Sequence, residues 1–223
     1  MESVNIGSYV LDELKKRYTV ENEDIGKDAK LDAKGMHFLI SRYSVKGVGN
    51  LCLIDMKAML GLMKMQTVVL SVAEKDVPLL NFDTVKVLKN GTYIAEFYDT
   101  MLGEKDDELE KACEAIKEAD GDLPDYVSGK HWYDSILYPC SYAKKLKGSG
   151  DRVNESLKKY FDAFMKSLEA ADICDPATKK KRISDFANGL IDNGGPAVDQ
   201  VKKLFGEELT KRLVLGHMYG VED

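Results

Sequence analysis

The chain has 223 residues, 44% hydrophobic and 31% charged, the proportions of a globular protein that folds in water. A formal net charge of −6 and a pI near 5.3 disfavour nucleic-acid binding through a broad basic face. Nothing resembles a Pro- or Ser-rich linker, and no apolar run reaches membrane-spanning length, so one domain over residues 1–223, without a membrane partner, is expected.

The start, MESVNIGSYVLDELKK, has no basic segment followed by an apolar one, which predicts no signal peptide and a cytoplasmic setting. Residues 9–18 read as a short amphipathic helix with Val10, Leu11 and Leu14 on one face, and the acidic stretch 21–32 reads as a loop. Residues 36–99 are strand-rich. Phe38 to Val45 and Gly49 to Asp55 flank a Lys46-Gly47 turn, and residues 62–72 and 79–88 supply two more strands. Asn90-Gly91, ahead of Tyr93-Ile94, is the strongest turn signal in the chain, because this pair accepts the positive φ angles of a type I′ hairpin. Successive hairpins predict an antiparallel sheet.

From Glu104 onward the period changes to helical. Leu109, Cys113 and Ile116 line one helix; Val153, Leu157, Phe161, Phe164 and Leu168 a second; Ile183, Phe186, Leu190 and Ile191 a third. Val198, Val201 and Phe205 mark another, which Gly206 divides from a last one carrying Leu209 and Leu213. Strands followed by helices predict an α+β fold, a single predominantly antiparallel sheet sandwiched between helical layers.

Familiar chemical motifs are missing. Cys52, Cys113, Cys140 and Cys174 form no CxxC and no metal-site spacing, so reduced thiols are expected. Gly47-Val48-Gly49 lacks the third glycine of a dinucleotide fingerprint, and Lys147-Gly148-Ser149-Gly150 lacks Walker spacing. The three histidines, His37, His131 and His217, are far apart, which argues against a metal centre; His131-Trp132-Tyr133 reads as an aromatic loop. What stands out is a carboxylate, Asp83, inside the apolar run Pro78-Leu79-Leu80-Asn81-Phe82-Asp83. Burial penalises a charged carboxylate, so this residue needs a partner, a proton or a task.

Val77-Pro78-Leu79-Leu80-Asn81-Phe82-Asp83 resembles the L-P-I-x-G-x-D strand of the ferredoxin-dependent bilin reductases, with Asn81 where glycine is usual. Tyr93-Ile94-Ala95-Glu96-Phe97-Tyr98-Asp99 is similar to that family's next strand. Gly195-Pro196-Ala197 with Leu204-Phe205-Gly206-Glu207-Glu208-Leu209 is similar to its closing N-D-P-A … Y-F-G-x-E-W signature. The resemblance implies a tetrapyrrole-binding protein that reduces a linear tetrapyrrole with single electrons from ferredoxin, without a bound metal or flavin. Asp83 would then be the proton donor. Phycocyanobilin-forming members place a histidine seventeen positions before the aspartate, and Gln66 stands there in this chain, a substrate-binding candidate that can hydrogen-bond but cannot titrate near neutral pH. The acid of the terminal signature falls on Gly195, with Asp192 the nearest carboxylate.

Two other readings stay open: a non-catalytic haem or bilin carrier or chaperone on the same scaffold, and an α+β interaction protein without a small-molecule site. Arg42 is a propionate-binding candidate by charge alone. Ferredoxins are acidic, so docking requires basic residues gathered near the pocket mouth, and Lys144, Lys145, Lys147 and the run Lys179-Lys180-Lys181-Arg182 are the candidates.

Overall fold

The computed structural model describes residues 5–222 and arranges them around one antiparallel sheet. Its strands are β1 (Val20–Glu23), β2 (Lys30–Ala33), β3 (Met36–Val45), β4 (Gly49–Ala58), β5 (Met63–Val72), β6 (Leu79–Val87), β7 (Asn90–Tyr98) and β8 (Tyr142–Lys147), in the order β1-β3-β4-β5-β6-β7-β8. β2 pairs with the start of β3 and β1 with its end, so the two short strands share one edge. The expected hairpins are therefore present, and the sheet is antiparallel throughout.

Three strands differ from expectation. The acidic stretch forms β1 and β2, and β8 comes from a segment read only as basic residues and loop. All three lie at sheet edges, where a strand is polar on its outer side and loses the alternation that marks a buried strand. The turn between β6 and β7 also differs: Val87 already pairs with Asn90, so the central residues are Leu88 and Lys89, with Leu88 at φ 55°. Gly91 belongs to the strand instead. A Cβ there would lie 2.6 Å from the Tyr93 ring, so the glycine makes room for a packed aromatic rather than for a turn.

Strand alternation sends apolar side chains to both faces, and each face has its own helices. On one face Leu51, Val68, Leu70, Phe82, Tyr93 and Phe97 pack against α1 (Ile6–Lys15), α2 (Asp107–Ala119) and α3 (Asp151–Ala170). Phe97 stacks between Tyr160 and Phe164 of α3, at 6.0 and 5.9 Å between ring centroids. On the other face Ile40, Cys52, Val69, Leu79 and Tyr98 meet α4 (Pro176–Asp192), α5 (Pro196–Phe205) and α6 (Glu207–Lys211). α6 continues into a π-helical turn, Arg212–Met218.

Caps fix where these helices begin. Asp175 accepts from Thr178 N at 2.8 Å, with Pro176 at the first turn of α4; Asp106 accepts from Leu109 N at 2.9 Å at the start of α2. The π-turn is held by the connection between β1 and β2. Asp28 accepts from Arg212 Nε at 2.5 Å and lies 3.1 Å from His217 Nε2, and the Arg212 guanidinium holds the Asp28 pKa down to about 2. Among the described residues, no helix is long and apolar enough to cross a membrane.

Candidate functional site

A cleft opens on the α4–α6 face, between β4–β7 below and α5 with the π-turn above. It encloses about 1130 Å³ of space outside atoms, part of it continuous with solvent. Its walls are apolar or aromatic, including Phe38, Ile54, Ile94, Val201, Phe205 and Val214. Phe205 meets Phe38 edge-on at 5.5 Å, closing one end. The loop carrying Tyr126, Ser128, His131 and Tyr133 forms another side. Trp132 pins that loop: its Nε1 donates to Gly194 O at 2.9 Å, and its ring lies where a Cβ on Gly189 of α4 would be, 2.2 Å away.

The polar groups gather on the sheet floor, placed there by register. Thr67 of β5 pairs with Asp83 of β6, and Asn81 pairs with Glu96 of β7, so all four side chains point to the same face. Thr67 Oγ1 donates to Asp83 Oδ1 at 2.5 Å, and Asn81 Nδ2 donates to Asp83 Oδ2 at 2.7 Å. Tyr98, two residues along from Glu96, donates its hydroxyl to Glu96 Oε2 at 2.5 Å. Tyr133 and Tyr219 complete the ring of phenols in the wall.

These carboxyls are poised toward protonation. Burial pushes the Asp83 pKa above its ordinary value, against the hydrogen bonds from Thr67 and Asn81 that favour the anion. Burial also raises Glu96; the Tyr98 hydrogen bond opposes this and the neighbouring Asp83 charge adds to it. Desolvation likewise lifts the hydroxyls of Tyr98, Tyr133 and Tyr219, which stay protonated as donors. Two carboxyls close enough to repel, in a largely apolar cleft, hold at least one proton more readily than two exposed acids would. The arrangement can donate hydrogen bonds or a proton to a large, flat, apolar ligand that carries nitrogen or carbonyl groups.

Of the sequence candidates, Asp83 lies at the centre of this floor. Gln66 does not join it. Gln66 pairs with Thr84 and points to the opposite face, where its Oε1 accepts from Gly7 N at 3.0 Å and its Nε2 donates to Asn5 and Asp55. The residue beside Asp83 is Thr67, one position further on. Arg42 is also away from the cleft lining, its Nε donating to Asn50 Oδ1 at 2.8 Å. Gly195, with Pro196 and Ala197, does line the cleft, whereas Asp192 is exposed and outside it. Glu96 is the acid that sequence reasoning passed over. Its signal was available: Ile94, Glu96 and Tyr98 alternate with the buried Tyr93, Ala95 and Phe97, so a second carboxylate faces the side that Asp83 faces.

The expected basic docking face does not form from the predicted residues. Lys144 is buried, its Nζ donating to Asp125 at 2.7 Å and to Leu123 O; Lys179 is fully buried on Asp76 at 2.9 Å and Val77 O at 2.7 Å. Lys145 and Lys147 stand opposite Thr92 and Asn90, by the β6–β7 turn, while α4 begins beside Val77 at the other end of β6. The nine residues of β6, roughly 26 Å from end to end, separate the two groups.

An antiparallel sheet between two helical layers, with a carboxylate cleft under the C-terminal helices, defines the class of fold. Among solved structures it is similar to a phytochromobilin synthase from tomato, determined in complex with biliverdin, at a TM-score of 0.76. The two share 13% sequence identity over 97% of this chain and 82% of that one, a likeness of fold. No protein-family model and no curated protein sequence matches the chain.

Proposed function

We propose that this chain binds a linear tetrapyrrole in the cleft over β5–β7, with Asp83 and Glu96 as its hydrogen-bonding and proton-donating groups. The observation that carries the reading is the paired, desolvated carboxyls on the floor of an aromatic-walled cleft. The biliverdin complex of a protein of the same fold supports it. A bilin offers a row of pyrrole nitrogens flanked by two carbonyls, and two carboxyls biased by burial toward their protonated forms can each address that row.

In the reductase form of this reading, reduced ferredoxin supplies single electrons and Asp83 gives a proton to the reduced bilin. Solvent entering the cleft mouth restores the acid. Desolvation suits Asp83 to that step, since it keeps a transferable proton on the group nearer working pH. The carrier form needs only the cleft. The burial of Lys144 and Lys179 and the distance between the remaining basic groups favour it, because an acidic electron donor then lacks the predicted docking face.

Titration with biliverdin and with haem, followed by absorption spectroscopy, tests the proposal. A saturable, shifted biliverdin band is expected. Absence of any spectral change with biliverdin overturns the binding reading. Turnover with reduced ferredoxin then distinguishes the reductase from the carrier.

A further inference from the structure

On the opposite face of the sheet three lysines stand side by side across three neighbouring strands. Lys57 of β4 pairs with Lys64 of β5, and Lys64 with Lys86 of β6. Directly opposed side chains lie about 5 Å apart at Cβ, and like charges in that position repel. None of the three forms an ion pair with a carboxylate among the described residues. Burial pulls the Lys86 pKa down; Asp151 partly compensates, and the Lys64 ammonium adds a smaller push in the same direction as burial. Lys86 also lies over the Tyr93 ring, 5.5 Å from its centroid.

The lysines form the rim of a hollow whose other walls are Asn5 and Ile6 at the start of α1, Thr84, Gln66 and Asn154 of α3. Asn154 is 5% exposed, and its buried Nδ2 has no hydrogen-bond partner. A buried amide donor left unpaired costs about 1–3 kcal/mol, so it marks a place where an acceptor belongs. The α3 N-terminus has no side-chain cap and adds its partial positive charge to the same region. Two acids bear on the hollow: Asp55 lines it, its Oδ1 already accepting from Gln66 Nε2 at 2.7 Å, and Asp151 in the first turn of α3 acts on Lys86 from outside the lining.

We infer that this hollow is an oxyanion site for a phosphoryl group, held by Lys57, Lys64 and Lys86 with Asn154 Nδ2 as the buried donor. A tetrahedral dianion offers enough acceptor oxygens for all of them, and it relieves the repulsion along the lysine row. The site lies across the sheet from the Asp83 cleft, so it stands independently of the tetrapyrrole reading.

The test is calorimetric titration of the full chain with inorganic phosphate and, separately, with glycerol phosphate, in chloride buffer at fixed ionic strength. Lys64→Gln and a control at the exposed turn residue Lys46→Gln are compared with the unaltered protein. Saturable single-site binding is expected, weakened about tenfold or more by Lys64→Gln and unchanged by Lys46→Gln. Tighter binding of the ester identifies a phosphate ester as the ligand; tighter binding of the free ion identifies phosphate. Thermal melts give a second readout: Lys64→Gln should raise the melting temperature in chloride and abolish the rise that phosphate produces. No saturable binding to the unaltered protein, or equal weakening in both variants, overturns the site.

Discussion

Asp83 is held by two donors, Thr67 and Asn81, in surroundings that disfavour its charge, and the two influences oppose each other. In Asp83→Asn the amide keeps the size of the side chain and can still accept from Asn81, so the cleft is retained and bilin affinity changes modestly. If Asp83 is the general acid, turnover with reduced ferredoxin falls by about 10²–10⁴-fold. Glu96 should respond as well: with the neighbouring charge gone, its pKa moves back toward the ordinary carboxylate range, and a carbon-detected NMR titration of the glutamate carboxyls reads this directly. Both acids have raised pKa values in the fold. The stability linked to them is therefore fully present below the ordinary carboxylate pKa near 4, and it is lost as pH rises through the raised values. Urea midpoints of the unaltered protein should decline over that window, and those of Asp83→Asn should decline less. A variant with unaltered pH dependence and full turnover per folded molecule refutes both roles. The sequence made Asp83 visible because an acid in an apolar run is conspicuous. It could not place its partner, because counting seventeen residues back along the chain ignores strand parity. A shift of one residue exchanges Gln66 for Thr67 and one face of the sheet for the other.

The elements around the cleft explain which basic residues are structural. In the run Lys179-Lys180-Lys181-Arg182 only Lys179 points inward, fixing the first turn of α4 to the β5–β6 connection through Asp76, which also accepts from Leu102 N and Gly103 N, each at 2.8 Å. Lys179→Met removes the cation from the half-buried Asp76, which keeps its two backbone donors, and a loss of about 1–3 kcal/mol in chemical denaturation is expected, against little change for Lys180→Met. Helical periodicity conveys α2 to α5 well, since each has an apolar stripe, but it says nothing about which lysine of a charged run turns inward. The aromatic loop over the cleft depends on α4 in a different way. Gly189→Ala should favour the isolated helix by about 1 kcal/mol, yet its methyl group would occupy the Trp132 ring position. We expect overpacking to win, with a net loss of up to about 2 kcal/mol and weaker biliverdin binding, because the loop that carries Tyr133 and His131 into the cleft is displaced. Unchanged affinity in a variant of normal stability would show that the loop does not contribute to the site.

At the scale of the whole molecule the sheet separates two chemistries. Acids and phenols face the C-terminal helices, and the lysine row faces α1 and α3. The layer order was legible from the succession of hairpins and helices, whereas this division was not: it depends on the register of β4, β5, β6 and β7, and a slip of one residue in any of them sends its side chains to the other face. The division would also constrain electron delivery in the proposed reductase. A donor guided to the lysine row would meet the wrong face of the sheet, with a full strand layer between it and the cleft, while near the cleft Lys145 and Lys147 lie at the opposite end of β6 from Lys180 to Arg182. With a net charge of −6, the predicted residues therefore offer an acidic ferredoxin no single basic face to follow to the cleft. If the protein reduces its bilin, the rate with reduced ferredoxin should be slow and nearly flat with salt around 0.1 M, where the Debye length is about 10 Å, because there is little steering to screen. Stopped-flow reduction of the biliverdin complex at several chloride concentrations checks this. A rate that begins high and falls steeply with salt would reveal a docking face and favour the reductase. Saturable binding with no reduction at any salt leaves the cleft as the holder of a tetrapyrrole, with Asp83 and Glu96 serving recognition.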